Sequence, residues 1–102
     1  MGYFMYRNKK LLEIVRQSPC QSCGKKDGTI VGAHSNQLRD GKGRGIKASD
    51  AMIAALCYNC HMEIDQGNKL SKQERIDQWE EAHRATIKWL IENEYLIVNP
   101  NQ

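Results

Sequence analysis

The sequence predicts a small α+β domain held together by a metal staple, with a short helix before its core and a longer helix after it. Three observations carry that prediction. The chain has 102 residues, room for one domain (1–102), and a core this small gains from an extra crosslink. Its four cysteines fall in two matched pairs, Cys20/Cys23 and Cys57/Cys60. Short β-prone runs alternate with segments whose apolar spacing is helical.

The elements follow in order. Tyr6 to Gln17 has the spacing of a short amphipathic helix, with Leu11, Leu12 and Val15 on one face and basic residues around the rest. Ser18-Pro19 ends it, because the residue before a proline avoids helical geometry. Cys20 to Gly24 forms a turn, with Gly24 suited to a left-handed backbone. Thr29-Ile30-Val31 is a β-prone run leading to His34. Residues 39–50 form a loop with three glycines and four basic residues, from which no core can be built. Asp50 is a cap or turn residue before Ala51 to Leu56, a run that composition alone leaves open between strand and helix. Asn59 to Gln66 suits a short helix with Gly67 in the stop position. The core thus spans about 18–67. Ser71 to Glu74 fits a capping box that opens a long helix, about 71–92, carrying Ile76, Trp79, Ile87, Leu90 and Ile91. Tyr95 to Val98 is a β-prone tail.

The composition is that of a globular domain, 40% hydrophobic and 26% charged. No run nears the roughly 18 apolar residues of a membrane span. Met1 to Lys10 lacks the apolar core of a secretory signal. These features place the protein in a cytoplasm, away from membranes, where thiols stay reduced and paired cysteines mean metal more often than disulfide. The charge is uneven: residues 1–50 carry a balance of +6 and residues 51–102 a balance of −3. A basic half suits a polyanionic partner, since phosphate contacts release counterions, and it equally suits a plain solvated surface.

Each Cys-x-x-Cys knuckle presents two thiolates from one turn. Two knuckles complete a zinc tetrahedron from Cys20, Cys23, Cys57 and Cys60, leaving no open coordination position, so this zinc is structural. The alternatives, unrelated buried cysteines or a redox pair, do not account for two matched pairs. The 33 residues between the knuckles leave space for a functional insert. His34 lies in that insert, after the β-prone run. His61 and Asp65 are four apart, so on a helix they point the same way, and such a pair can share a surface hydrogen bond, the commoner case, or hold a divalent cation.

Taken together, Cys-x-x-Cys, then Val31-Gly32-Ala33-His34, then a glycine- and lysine-rich loop, then Asp50, then Cys57-x-x-Cys60-His61-x-Glu63-Ile64-Asp65 resembles HNH nucleases. More narrowly it resembles the small YbcO-like nucleases of phages and prophages. The resemblance covers about Cys20 to Gly67. It implies a ββα-metal (His-Me finger) core in which a hairpin and a helix wrap one catalytic ion. By that resemblance His34 is the general base, His61 and Asp65 are ligands of the ion, and Asp50 orients the base. Many members carry a further ligand just before the base, where this chain has Ala33. With two protein ligands, unless Asp50 or Asn36 adds another, the ion is of the hard kind, magnesium or manganese, that keeps waters and takes phosphate oxygens.

The resemblance thus implies an endonuclease hydrolysing DNA, with Arg39, Lys42, Arg44 and Lys47 as phosphate contacts beside the base. Two alternatives stand beside it. One is a phage recombination accessory nuclease that acts with a host recombinase filament. The other is a non-catalytic zinc-binding nucleic-acid module, which leaves His34, His61 and Asp65 without a role.

Overall fold

The computed structural model describes residues 5–99. Among them are three α-helices and one antiparallel two-stranded sheet: α1 (Lys9–Val15), β1 (Val31–His34), β2 (Ile53–Leu56), α2 (Tyr58–Asp65) and α3 (Lys72–Glu92), with a short 3-10 turn over Leu38–Asp40. No helix among them is long and apolar enough to cross a membrane.

The core forms where the all-buried β2 meets its neighbours. Ile53, Ala54, Ala55 and Leu56 are each 1% exposed or less. The small side chains of Ala54 and Ala55 let β1 and α3 approach closely, and burial on both faces explains why this run shows no strand-like alternation. β1 and β2 pair in the register Val31↔Leu56, Gly32↔Ala55, Ala33↔Ala54 and His34↔Ile53. α3 lays Trp79, Ala82 and Leu90 against the sheet. α1 adds Val15, fully buried, with Leu11 and Leu12 packed beside it.

A two-stranded sheet leaves one long edge on each strand. On the far edge of β2, the Gln21 N–H donates to the Ala55 carbonyl at 2.8 Å. The Ala55 N–H donates to Thr86 Oγ1 at 2.9 Å, and His83 Nδ1 donates to the Ile53 carbonyl at 2.7 Å. The edge is therefore closed by one group from the first cysteine knuckle and two from α3.

Several sequence expectations need correction. The first helix begins at Lys9 and not at Tyr6, because Asn8 is extended (φ −148°) and its side chain caps Leu11 N. The second helix begins at Tyr58, with Cys57 at its N-cap. Gly67 is not left-handed: its N–H bonds the Met62 carbonyl, and a Cβ there would lie 2.8 Å from the Glu63 carbonyl oxygen. Close approach selects glycine at this position. Gly24 does take φ +81°. The loop over 39–50 is not devoid of core, since Ala48 and Asp50 are 0% and 2% exposed. Tyr95 to Val98 forms no strand. Tyr95 instead stacks on Trp89, with centroids 5.4 Å apart. The capping box at Ser71 and Glu74 and the helix running to Glu92 are as predicted.

Candidate functional site

Two clusters of chemically active side chains sit at opposite ends of the hairpin. At the first end, Cys57 follows β2 directly and Cys60 lies in the first turn of α2. The other knuckle is a tight turn in which Cys20 N–H bonds the Lys25 carbonyl and Gly24 N–H bonds the Cys20 carbonyl, each at 2.8 Å. All four cysteines are free thiols. Their Sγ atoms lie within 4.8 Å of one another, and those of Cys23 and Cys57 are 3.8 Å apart. A tetrahedron with Zn–S bonds of about 2.3 Å has edges of about 3.8 Å. The four thiols can hold one zinc ion.

The electrostatics of this corner call for a cation. Burial, together with the neighbouring thiols, pushes the Cys60 thiol well above its ordinary value, and burial raises Cys57 too. At Cys20 burial opposes ionisation, but backbone N–H groups outweigh it and bring the thiol down to about 7. One thiolate is thus favoured where it raises the cost of the others. A divalent cation at the centre removes that conflict.

At the other end, β1 places His34 opposite Ile53. Its Nε2 is 2.7 Å from Asp50 Oδ1. Asp50 is buried and held by more than the histidine. Asn8 N–H donates to Oδ2 at 2.7 Å, and Arg7 Nη1 lies 3.2 Å from Oδ1. Arg7 also donates to the carbonyls of Ala48 and Lys47, at 2.5 and 2.8 Å. Burial disfavours the Asp50 charge, but the His34 and Asn8 hydrogen bonds and the Arg7 charge hold the carboxyl below its ordinary range.

Across a pocket of about 170 Å³ from His34, α2 presents His61 and Asp65. His61 Nε2 and Asp65 Oδ2 are 2.9 Å apart. That separation is a direct hydrogen bond, which joins the two side chains to each other on one face of α2. Asn36 Nδ2 donates to Asp65 Oδ1 at 2.8 Å. The hydrogen bond to Asp65 raises the His61 value. Burial works against the Asp65 charge, yet the His61 and Asn36 bonds keep that carboxyl low.

The basic residues divide. Lys42 and Lys47 line the pocket with His34, His61 and Asp65. Arg39 is engaged with Glu80, Nη2 to Oε2 at 2.5 Å, on the α3 side. Arg44 lies in the turn closed by the Gly43↔Ile46 bridge and lines none of this pocket. His83 is remote in role: it bonds Ile53 and stacks on Trp79 with centroids 5.0 Å apart. Arg7 and Asn8 were not legible as site residues, because they reach Asp50 across 43 and 42 positions and no local motif marks them.

Compared with known proteins, the chain matches no family model, no curated protein and no solved structure.

Proposed function

We propose that the chain is a metal-dependent endonuclease of the HNH (His-Me finger) type, built on a ββα-metal core, that hydrolyses DNA phosphodiester bonds in the manner of phage and prophage nucleases. The observation that carries this reading is His34, backed by the buried Asp50, on one wall of a pocket whose other wall holds His61 and Asp65. A charged carboxylate accepts from the Nε2–H of His34, and the neutral ring then carries its lone pair on Nδ1. Nδ1 is the nitrogen that takes a proton from the attacking water. Asp50 fixes that tautomer and orients the ring, and Arg7 and Asn8 fix Asp50.

A magnesium or manganese ion on His61 and Asp65, when bound, supplies neutralisation of charge on the scissile phosphate. Asn36 holds the carboxylate of Asp65 in place for that purpose. Lys42 and Lys47 offer positive charge to the phosphates on either side of the cut. Four reduced thiols suit a cytoplasmic setting.

Plasmid cleavage with added magnesium or manganese tests the proposal. His34→Ala should lower the cleavage rate by about 10²–10⁴-fold at every ion concentration. His61→Ala should lose it through the ion and regain part of it at raised manganese. Wild-type protein carrying zinc that leaves DNA intact, with and without a recombinase filament, refutes the nuclease reading and leaves the zinc-binding nucleic-acid module.

A further inference from the structure

A second concavity of about 650 Å³ adjoins the His34 pocket, and the two share Asn36 and Asp65 in their walls. Its size falls within the roughly 300–1,000 Å³ of small-molecule sites, suited to one nucleotide and too small for a duplex. Part of its lining is apolar, from Leu38, Ile76 and Trp79. Its walls carry Arg39, Lys72, Arg75 and Asp65, and with Arg39 paired to Glu80 the cations that face a ligand are Lys72 and Arg75.

Arg75 supplies a second observation. Its Nη2 donates to the Gly67 carbonyl, while its Nε is the buried side-chain nitrogen that has no hydrogen-bond partner among the described residues. Nε is sealed from solvent and Nη2 is taken by Gly67, so the guanidinium is held in place in the wall of the concavity and Nη1 is the nitrogen left to offer a phosphate. Trp79 ties this wall to the cleavage centre, because its Nε1 donates to the carbonyl of Ala33, the residue before His34, at 3.0 Å.

We propose that this concavity is a subsite for one unpaired nucleotide of the substrate strand, its base on the apolar wall and its phosphate on Arg75 and Lys72. The placement beside the scissile bond rests on the nuclease reading, since the shared Asn36 and Asp65 put the next nucleotide here when a phosphate sits at His34. A base inside a duplex is stacked and cannot enter such a pocket. An unpaired one brings an exposed face and edge. The substrate preferred by this site is therefore a single strand or a strand with an unpaired segment next to the cut.

The test is binding without added magnesium or manganese, so that cleavage plays no part. In a Trp89→Phe background Trp79 is the remaining tryptophan. A twelve-residue oligothymidylate should quench its fluorescence, and a blunt hairpin duplex should not. Lys72→Glu should weaken oligothymidylate binding about tenfold at low salt, as expected for a lost phosphate contact. Because an acidic residue is favourable in the first turn of a helix, that variant keeps α3 intact. If Trp89→Phe fails to fold, the indole N–H resonance of Trp79 in the wild-type protein gives the same readout. Absence of quenching or shift, an equal response to duplex, or indifference to Lys72→Glu overturns the subsite. Plasmid cleavage by the same preparation decides the nuclease reading separately: binding without cleavage overturns that reading alone, and cleavage without binding here overturns the subsite alone.

Discussion

The two ends of the hairpin solve different problems with similar materials. Four residues of strand, about 13 Å of chain, separate the thiol corner at Cys57 from Ile53, the residue opposite His34. At the thiol corner the reactive groups have mainly one another for company, and their mutual repulsion when ionised demands a cation. At the histidine pocket each reactive group has a protein partner already: Asp50 for His34, His61 and Asn36 for Asp65. The first arrangement is one that a bound cation would relieve. The second is satisfied by protein partners as it stands, so its geometry does not depend on an ion.

The largest effect should come from breaking the thiol corner. Cys57→Ser should abolish cooperative thermal unfolding as followed by circular dichroism, because structural zinc contributes on the order of 10 kcal/mol to the folding of small zinc domains. Elemental analysis should give one zinc per wild-type chain; intramolecular disulfides with no zinc would remove the basis of the comparison. Next in size, His34→Ala should lower the single-turnover cleavage rate by about 10²–10⁴-fold, the usual contribution of a general base, with zinc content unchanged and the melting temperature lowered only by the lost bond to Asp50. A near wild-type rate would make His34 a structural residue and join the two ends in a single purpose.

Asp50→Ala should cost about 1–3 kcal/mol of stability by stripping partners from the Asn8 N–H and Arg7, and it should slow cleavage through a misdirected His34. The pH dependence has a definite sign. The folded-state value of Asp50 lies below its ordinary 3.8, so its contribution is complete above about pH 4 and is lost as pH falls through the lower folded value. Denaturant melts of wild type and Asp50→Ala should converge at acid pH. Equal losses at pH 7 and pH 2.5 would show that the carboxylate charge is irrelevant. The smallest effect is Lys47→Ala, which should weaken DNA binding and reduce the salt slope by about one phosphate contact. An unchanged slope would move the phosphate path away from this wall.

The difference between the ends also governs what the sequence discloses. The cysteines announce themselves, because each knuckle is local and its spacing states its geometry. The pair His61 and Asp65 is equally local, four apart on one helix. The capping box at Ser71 and the span of α3 are legible for the same reason. The pairing of His34 with Asp50 is implied by the resemblance and not by spacing, because the contact spans 16 positions, and the clamp of Arg7 on the loop is tertiary in the same way. The burial of Ala48 in a loop of glycines and lysines is invisible to composition, because it depends on the N-terminal segment folding over it. The Ala51–Leu56 run was ambiguous because a strand buried on both faces has no alternation to read. The Tyr95–Val98 tail misleads in the opposite sense: its residues favour strands, but its first residue is turned back on α3, with Tyr95 N–H on the Leu90 carbonyl and its ring on Trp89.

The far edge of β2 carries a consequence for solubility. Its backbone groups are taken up by Gln21 from the knuckle and by Thr86 and His83 from α3, so no second molecule can extend the sheet there. Gln21 sits between two of the zinc-corner cysteines, and its hold on Ala55 lasts only while that turn keeps its shape. Stripping the metal should therefore do more than loosen the domain. It should uncover the Ala55 carbonyl on an apolar strand of low charge, a ready template for intermolecular pairing, and the metal-free chain should self-associate before it is fully unfolded.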